Sequence, residues 1–305
     1  MAREIYDDIF LIDLDQPRRG FKKFISSWLV RREGTTMLID PGPSSTVQHL
    51  EEELDALAVK KIDFVLITHI HIDHVGGLGH LLERHPETRV VCKPSSIRHL
   101  TDPSKLAAAS REALGDVADL YGNIKPSPGT AFLDEHEAEQ VGIFETVETP
   151  GHASHHRCYR VEDILFVGEA AGVLYPHETG PYLRLASPAP FFYDVYRSSL
   201  LKAAALDVSH LCFAHYGFCD GPARLFDAAL NQLDLWVSLV EKRMNAGGSD
   251  KLFEDMIFED VLRQDPAMTR YRKLPGDVQE RERFFAVKSI RGIRGWIMKN
   301  GTVRR

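Results

Sequence analysis

Seven side chains in this sequence could do metal chemistry, and four of them fall within six positions. His69, His71, Asp73 and His74 follow the apolar run Phe64-Val65-Leu66-Ile67 and precede the pair Gly76-Gly77. Neutral imidazole and carboxylate are the ligands that zinc, iron and manganese accept. The reading is a buried strand that ends in a metal-binding loop, with the glycine pair opening the next helix. If the strand pleat continues through the motif, it alternates side chains and aims His69 and His71 the same way. Asp73 and His74 then face a second position.

Elements must deliver these ligands. Ile9–Ile12, Ser26–Val30 and Thr35–Ile39 read as early strands, the last stopped by Asp40-Pro41-Gly42. Ser44 or Ser45 caps a helix whose buried stripe is Val47, Leu50, Leu54, Leu57 and Ala58, with Glu51, Glu52 and Glu53 partly outside. A short helix from Gly77 to His85 and a strand Arg89–Cys92 follow. His49, His80, His85 and His99 lie on expected helices without ligand spacing and are read as surface or core residues. Residues 101–130 form an irregular insertion with a helix from Pro103 to Leu114. There Tyr121 is read as packed, with substrate contact as the alternative. Phe144–Thr149 is a strand running into Pro150-Gly151-His152, and His155 has no assigned role. A hairpin of Arg157–Val161 and Ile164–Val167 ends at Gly168-Glu169. Residues 175–194 read as a loop whose Tyr182, Phe191, Phe192 and Tyr193 either wall a pocket or anchor the loop. Tyr193–Leu206 reads as a helix, and Leu211–Ala214 as a strand leading into His215-Tyr216-Gly217. Beyond Gly221-Pro222 the apolar spacing is helical. One helix is stopped by Gly247-Gly248-Ser249, and others span Lys251–Arg263 and Val278–Trp296. The basic residues Arg291, Arg294, Lys299, Arg304 and Arg305 read as a solvated end.

His-x-His-x-Asp-His followed by two glycines resembles the signature of the metallo-β-lactamase-fold hydrolases, and the resemblance covers about residues 5–220. It implies an α/β fold, an αββα sandwich with C-terminal helices appended, divided as a catalytic domain 1–221 and a helical extension 222–305. It implies one metal on His69, His71 and His152 and another on Asp73, His74 and His215. Asp40 would buttress the site without binding metal, and His156 would support structure. Glu169 departs from the family, whose usual residue is an aspartate bridging the two ions. Glutamate is longer by one carbon–carbon bond, about 1.5 Å. It reaches the bridge if the strand end retreats or the side chain folds back. Two divalent ions are expected, zinc foremost, with iron or manganese the other choices.

Two such ions lower the pKa of a shared water toward about 7, giving hydroxide at neutral pH that attacks a carbonyl or phosphoryl centre. Asp73 could also accept or deliver a proton, and Tyr216 or Tyr193 could donate to the oxyanion. Phe192 is a further candidate pocket residue. No Gly-x-Ser-x-Gly elbow points to a protein nucleophile.

The wider composition narrows the class. The 305 residues are 44 % hydrophobic and 27 % charged, enough for a large core. A net charge of -7 speaks against a nucleic-acid partner. Cys92, Cys158, Cys212 and Cys219 are scattered and read as reduced thiols. With no signal region and no membrane span, the expectation is a cytoplasmic protein. Its substrate would be a small ester, thioester or lactone. The alternatives are a mononuclear iron sulfur dioxygenase and a metal-binding regulatory protein with weak hydrolase activity. The extension would cover the pocket or make a homodimer.

Overall fold

The computed structural model describes residues 2–175, 181–246 and 252–301. Its first half holds β1 (Arg3–Tyr6), β2 (Ile9–Asp13), β3 (Ser26–Arg32), β4 (Thr35–Ile39), α1 (Val47–Ala56), β5 (Phe64–Leu66), α2 (Ile72–Val75), α3 (Leu78–Arg84) and β6 (Arg89–Val91). The insertion supplies α4 (Pro94–Thr101), α5 (Ser104–Leu114), α6 (Asp116–Tyr121) and α7 (Glu135–Gln140). Next come β7 (Glu145–Glu148), β8 (Arg157–Val161), β9 (Ile164–Gly168), β10 (Val173–Tyr175) and β11 (Tyr182–Arg184). The chain closes with α8 (Tyr193–Ala204), β12 (His210–Phe213), β13 (Gly217–Asp220), α9 (Pro222–Asn245), α10 (Phe253–Gln264) and α11 (Gly276–Asn300).

The strands form two main sheets, ordered β1-β2-β3-β4-β5-β6 and β13-β12-β9-β8-β7, and β10 pairs with β11 in a separate ribbon. Alternation along a strand explains the layers. On β2, Ile9 and Leu11 enter a cluster between the sheets with Trp28, Tyr159 and Phe166. Phe10 and Ile12 face the other way, into a cluster with Leu50 and Leu54 of α1. The outer face of the second sheet is covered in turn. Cys158, Leu165, Val167, Leu211 and Phe213 share a cluster with Trp236 of α9, Phe253 of α10 and Ile290 of α11. The result is helix, sheet, sheet, helix. The helices after residue 221 are part of the same apolar cluster as β8, β9 and α8.

The two sheets are stitched where β12 ends. Trp28 Nε1 donates to the Phe213 carbonyl at 2.9 Å, and the Ser26 N–H donates to the Ala214 carbonyl at 3.0 Å. These bonds fix the chain at the point where His215 emerges.

Several local expectations are corrected. Residues 175–194 are not all loop, because Tyr182–Arg184 is a strand paired with Val173–Tyr175; Pro176 and Gly180 lie outside the described residues. Neither Ser44 nor Ser45 caps α1. They lie in a 3-10 turn, Ser44–Thr46, and their hydroxyls donate to the Tyr121 carbonyl and to Gln16 Oε1. Glu51 is buried rather than partly outside, with His85 Nε2 3.0 Å from its carboxylate, and Ala58 is exposed. Strands β1 and β13 add an edge to each sheet that the sequence pattern did not signal. The expected stop at Gly247-Gly248-Ser249, Lys251 and the terminal Arg304 and Arg305 lie outside the described residues. Arg291 and Arg294 both reach Glu254, at 3.5 Å.

Candidate metal centre

Parallel pairing of β4 with β5 puts their C-terminal ends side by side. Asp40, just past β4, adopts φ of 51°, and its N–H donates to the Leu66 carbonyl at 3.1 Å. Its carboxylate then accepts the Thr68 N–H at 2.8 Å and the Thr68 hydroxyl at 2.5 Å. The Thr68 hydroxyl in turn sits 3.0 Å from His69 Nδ1. The other imidazole that Asp40 governs is His74, whose Nδ1 is 3.2 Å away. With a carboxylate on one nitrogen, His74 presents Nε2 to the site. Asp40 thus braces two imidazoles from behind.

The ligand motif is not a strand, contrary to the pleated reading. β5 stops at Leu66, and His71 is the extended residue immediately before α2. Its carbonyl accepts the N–H groups of His74 and Val75 at 2.9 and 3.1 Å. Asp73 and His74 therefore come from a helical turn, and His69 and His71 from an extended loop. The two rings lie 4.6 Å apart at 86°.

The remaining ligand candidates come from the second sheet. Beside His152, Gly151 packs on Tyr196, whose ring would lie 2.6 Å from any Cβ there. His152 Nδ1 donates to the Ala186 carbonyl at 2.9 Å, which turns Nε2 inward. It ends 2.9 Å from His71 Nδ1. His215 Nδ1 donates to the Phe24 carbonyl at 2.8 Å, and its Nε2 lies 3.2 Å from Asp73 Oδ2.

Glu169 sits among them. Its Oε2 is 3.0 Å from His152 Nε2, 3.3 Å from His69 Nε2, 3.5 Å from His74 Nε2 and 3.8 Å from His215 Nε2. One carboxylate oxygen thus faces four imidazoles, two from each half of the site. The backbone makes this possible. Gly168 has φ of 54°, and a Cβ there would lie 2.5 Å from His156 Nε2. That same nitrogen accepts the Glu169 N–H at 3.1 Å, while Thr149 Oγ1 lies 2.9 Å from His156 Nδ1. The strand end is pinned by His156, and the longer side chain reaches the middle.

Among the described residues, three sets of donor atoms lie close enough to share an ion: His69, His71, His152 and Glu169; Asp73, His74 and His215; and Asp40, His69 and His74. The third set is already engaged, since Asp40 spends its oxygens on Thr68 and His74. The other two fit divalent cations. His69 Nε2 and His74 Nε2 are buried without a hydrogen-bond partner, a cost that a cation would remove.

The electrostatics agree for His69, His71 and the two carboxylates, whereas Asp73, Asp40 and Glu169 raise His74 well above the usual imidazole range against its burial, a shift that a cation on its Nε2 would oppose. Burial, reinforced by the neighbouring His152, brings His71 down to about 3, and burial also drives His69 well below the usual imidazole range. Both are neutral at pH 7, the form a metal accepts. Burial alone would raise Asp73, but His74 and His215 outweigh it and hold the carboxyl at about 2. Glu169 is likewise held well below the carboxylate range against its burial, by His152 and His215. Asp73, buried and held ionised, is an acceptor at neutral pH.

The expected substrate residues are not brought to this cluster. The Tyr193 hydroxyl donates to Asp234 at 2.7 Å and its ring packs on Trp296. Tyr216 follows His215 in the chain, but its hydroxyl is engaged by Asp13 and Arg3. Phe192 is 51 % exposed, at the start of α8. Tyr182 and Phe191 are buried in the outer core as anchors. His155 borders the cluster, with its Nδ1 3.4 Å from the Ile70 N–H. Sequence reasoning missed Phe24, whose carbonyl orients His215, because a backbone contact leaves no trace in residue type.

Comparison with known proteins places this geometry. The family model described as the metallo-beta-lactamase superfamily matches residues 21–215. A metallo-beta-lactamase fold-containing protein of Sulfurisphaera tokodaii is 29 % identical over 205 residues, 65 % of this chain and 74 % of that protein. A hydroxyacylglutathione hydrolase of Aeromonas hydrophila is 29 % identical over 147 residues. That match covers 47 % of this chain and only 44 % of the relative. Among solved structures, an archaeal metallo-beta-lactamase superfamily protein from Sulfolobus tokodaii superposes with a TM-score of 0.65 at 22 % identity, covering 93 % of this chain and 98 % of that one. Among the described residues no helix is long and apolar enough to cross a membrane. With its sandwich fold and its ligand cluster, the chain belongs to the metallo-β-lactamase superfamily of metal-dependent hydrolases.

Proposed function

We propose that this protein hydrolyses a small ester, thioester or lactone at a two-metal centre. The observation that carries the reading is the position of Glu169 Oε2, within 3.8 Å of Nε2 atoms from both halves of the cluster. His69, His71 and His152 would hold one divalent ion and Asp73, His74 and His215 the other, with Glu169 between them and zinc the foremost choice. When bound, such ions acidify water and polarise the carbonyl under attack.

The chain's own contribution is orientation and exclusion of bulk water. Asp40 and Thr68 fix His69 and His74, Ala186 fixes His152, and Phe24 fixes His215. His156 holds the backbone of Glu169. The buried site strengthens each electrostatic interaction within it. The hydroxyacylglutathione hydrolase relatives favour a thioester, although the match spans less than half of their length. Cytoplasmic location accords with the scattered free cysteines.

The test is a panel of thioesters, aryl esters and lactones offered to protein reconstituted with zinc, manganese or iron. Turnover that a chelator abolishes and metal restores is expected. Oxygen uptake on persulfides without ester turnover would replace the proposal with the dioxygenase reading. Full metal loading with no turnover would favour a binding role.

A further inference from the structure

Two of the ligand imidazoles are aimed by backbone carbonyls, His152 by Ala186 and His215 by Phe24. A carbonyl aims a ring only as well as its own segment is held. One helix holds both segments. It is α11, which lies beyond the residues 21–215 that the family model matches. Ser289 of α11 is buried, and its hydroxyl straddles Ala186. It accepts the Ser187 N–H at 3.0 Å and donates to the Leu185 carbonyl at 3.0 Å. Further along, Gly292 lets the helix close on the same segment, because a Cβ there would collide with the Ser187 carbonyl.

Nearer its start, α11 meets Phe24. The Arg281 guanidinium lies 4.0 Å from the Phe24 ring centroid, and that ring lies 4.4 Å from the His215 ring at 34°. One face of a ring has room for one group at such distances, so Phe24 is held between the imidazole and the guanidinium. A desolvated cation over an aromatic face is among the stronger cation–π contacts, and Arg281 is buried. Its Nη1 donates to the Gly20 carbonyl, at the other end of the same loop. Gly20, with φ of 80°, sits against the Asp277 carbonyl in the first turn of α11 with no space for a Cβ. Arg281 is itself fixed. Its Nε donates to Glu282 Oε1 at 2.9 Å, and Glu282 Oε2 accepts from Arg184 Nε at 2.6 Å.

We infer that α11 is the positioning element of the metal centre: Ser289 sets His152 through Ala186, and Arg281 sets His215 through Phe24, which rests on the two-metal part of the proposed function and not on the hydrolysis. His152 and His215 belong to different donor sets, so the two positioning residues act on different ions. The sign of the effect separates positioning from charge. Removing the buried positive charge of Arg281 would by Coulomb's law alone tighten a nearby cation. Releasing Phe24 and His215 loosens it.

The experiment titrates zinc into the metal-free full chain against a chromogenic chelator, for wild type, Arg281→Met and Ser289→Ala. His215→Ala and His152→Ala mark which of the two binding constants belongs to which donor set. Arg281→Met should weaken zinc at the His215 set by about 10- to 100-fold, and Ser289→Ala should do the same at the His152 set, each leaving the other constant within about threefold. Phe24→Leu should weaken the same constant as Arg281→Met, and combining the two should add little, because both act through one ring. Glu282 keeps Arg184 as its partner in Arg281→Met, and Phe285 still packs 5.5 Å from Phe24. Should Arg281→Met not fold, Arg281→Lys keeps the charge but not the planar fork and takes its place. Both constants falling together with the urea stability of the metal-free protein would make the residues merely structural and overturn the inference. Unchanged constants, or tighter zinc in Arg281→Met, would overturn it as well. If wild-type protein holds a single ion, the two-metal reading fails. A fall of that one constant in either variant would then still uphold the positioning role, and no fall would overturn it. Selective weakening in a protein that cleaves no ester would uphold the role of α11 and reject the hydrolase reading.

Discussion

Asp40 Oδ2 lies 3.2 Å from His74 Nδ1, and the same carboxylate accepts both the N–H and the hydroxyl of Thr68. Asp40 is 1 % exposed, so these bonds act at low local dielectric. Asp40→Asn keeps the shape but removes the charge that orients His74. Loss of such an outer partner costs about 10- to 100-fold in metal affinity. Competition with a chromogenic zinc chelator should show that drop, while the fold, followed by circular dichroism, persists.

Tyr216 is next to His215 but is tied to Asp13 and Arg3, on the N-terminal strands. Tyr216→Phe should therefore leave turnover within about twofold while lowering stability by about 0.5–1.5 kcal/mol, the net worth of a hydrogen bond whose partners, Asp13 and Arg3, water can still reach. Urea unfolding and steady-state kinetics on one preparation separate the two effects. A large fall in kcat with unchanged stability would restore the expectation that this hydroxyl meets the oxyanion.

The helices after residue 221 are core rather than ornament. Trp236 is fully buried, and its Nε1 donates to Asp265 Oδ2 at 2.7 Å, where Gln232 also donates at 2.7 Å. Trp236→Ala should cost about 3–5 kcal/mol. Truncation after Asp220 should yield unfolded or insoluble chain, because β8 and β9 would expose the face they share with α9. A truncated protein with a cooperative thermal transition would show that 1–221 is an independent domain.

Reactivity of the cysteines follows their burial. Burial pushes Cys92 and Cys158 up to about 12, and Cys212 well above the ordinary thiol. Thiolate forms only as pH rises through those values, so these three are inert at pH 8. Cys219, on β13, is only partly buried. A disulfide reagent should titrate about one thiol per native chain and four after denaturation.

The candidate ligands that the fold gathers were legible because each stands at a strand end or turn with its own local signature: His69 to His74 after β5, His152 in Pro-Gly-His, Glu169 after β9 and His215 after β12. What was not legible depends on tertiary partners. Three-residue strands such as Tyr182–Arg184 carry too few residues for a period to show. Glu51 reads as a surface residue until His85 folds onto it. Ser44 and Ser45 have the right types for a cap, but their hydroxyls found Tyr121 and Gln16 instead. The reach of Glu169 was the open question. Gly168, in its left-handed conformation against His156, carries the Glu169 side chain among four imidazoles, and that pairing is visible only in three dimensions.

The most direct measurement is the metal content of exhaustively dialysed wild-type protein and Glu169→Gln, read by elemental analysis beside ester turnover. Glutamine keeps the size but loses the charge set among four imidazoles. The account predicts about two ions per wild-type chain, at most one in the variant, and a fall in turnover of at least about 100-fold. Two ions retained in Glu169→Gln with undiminished turnover would contradict the central role given to Glu169.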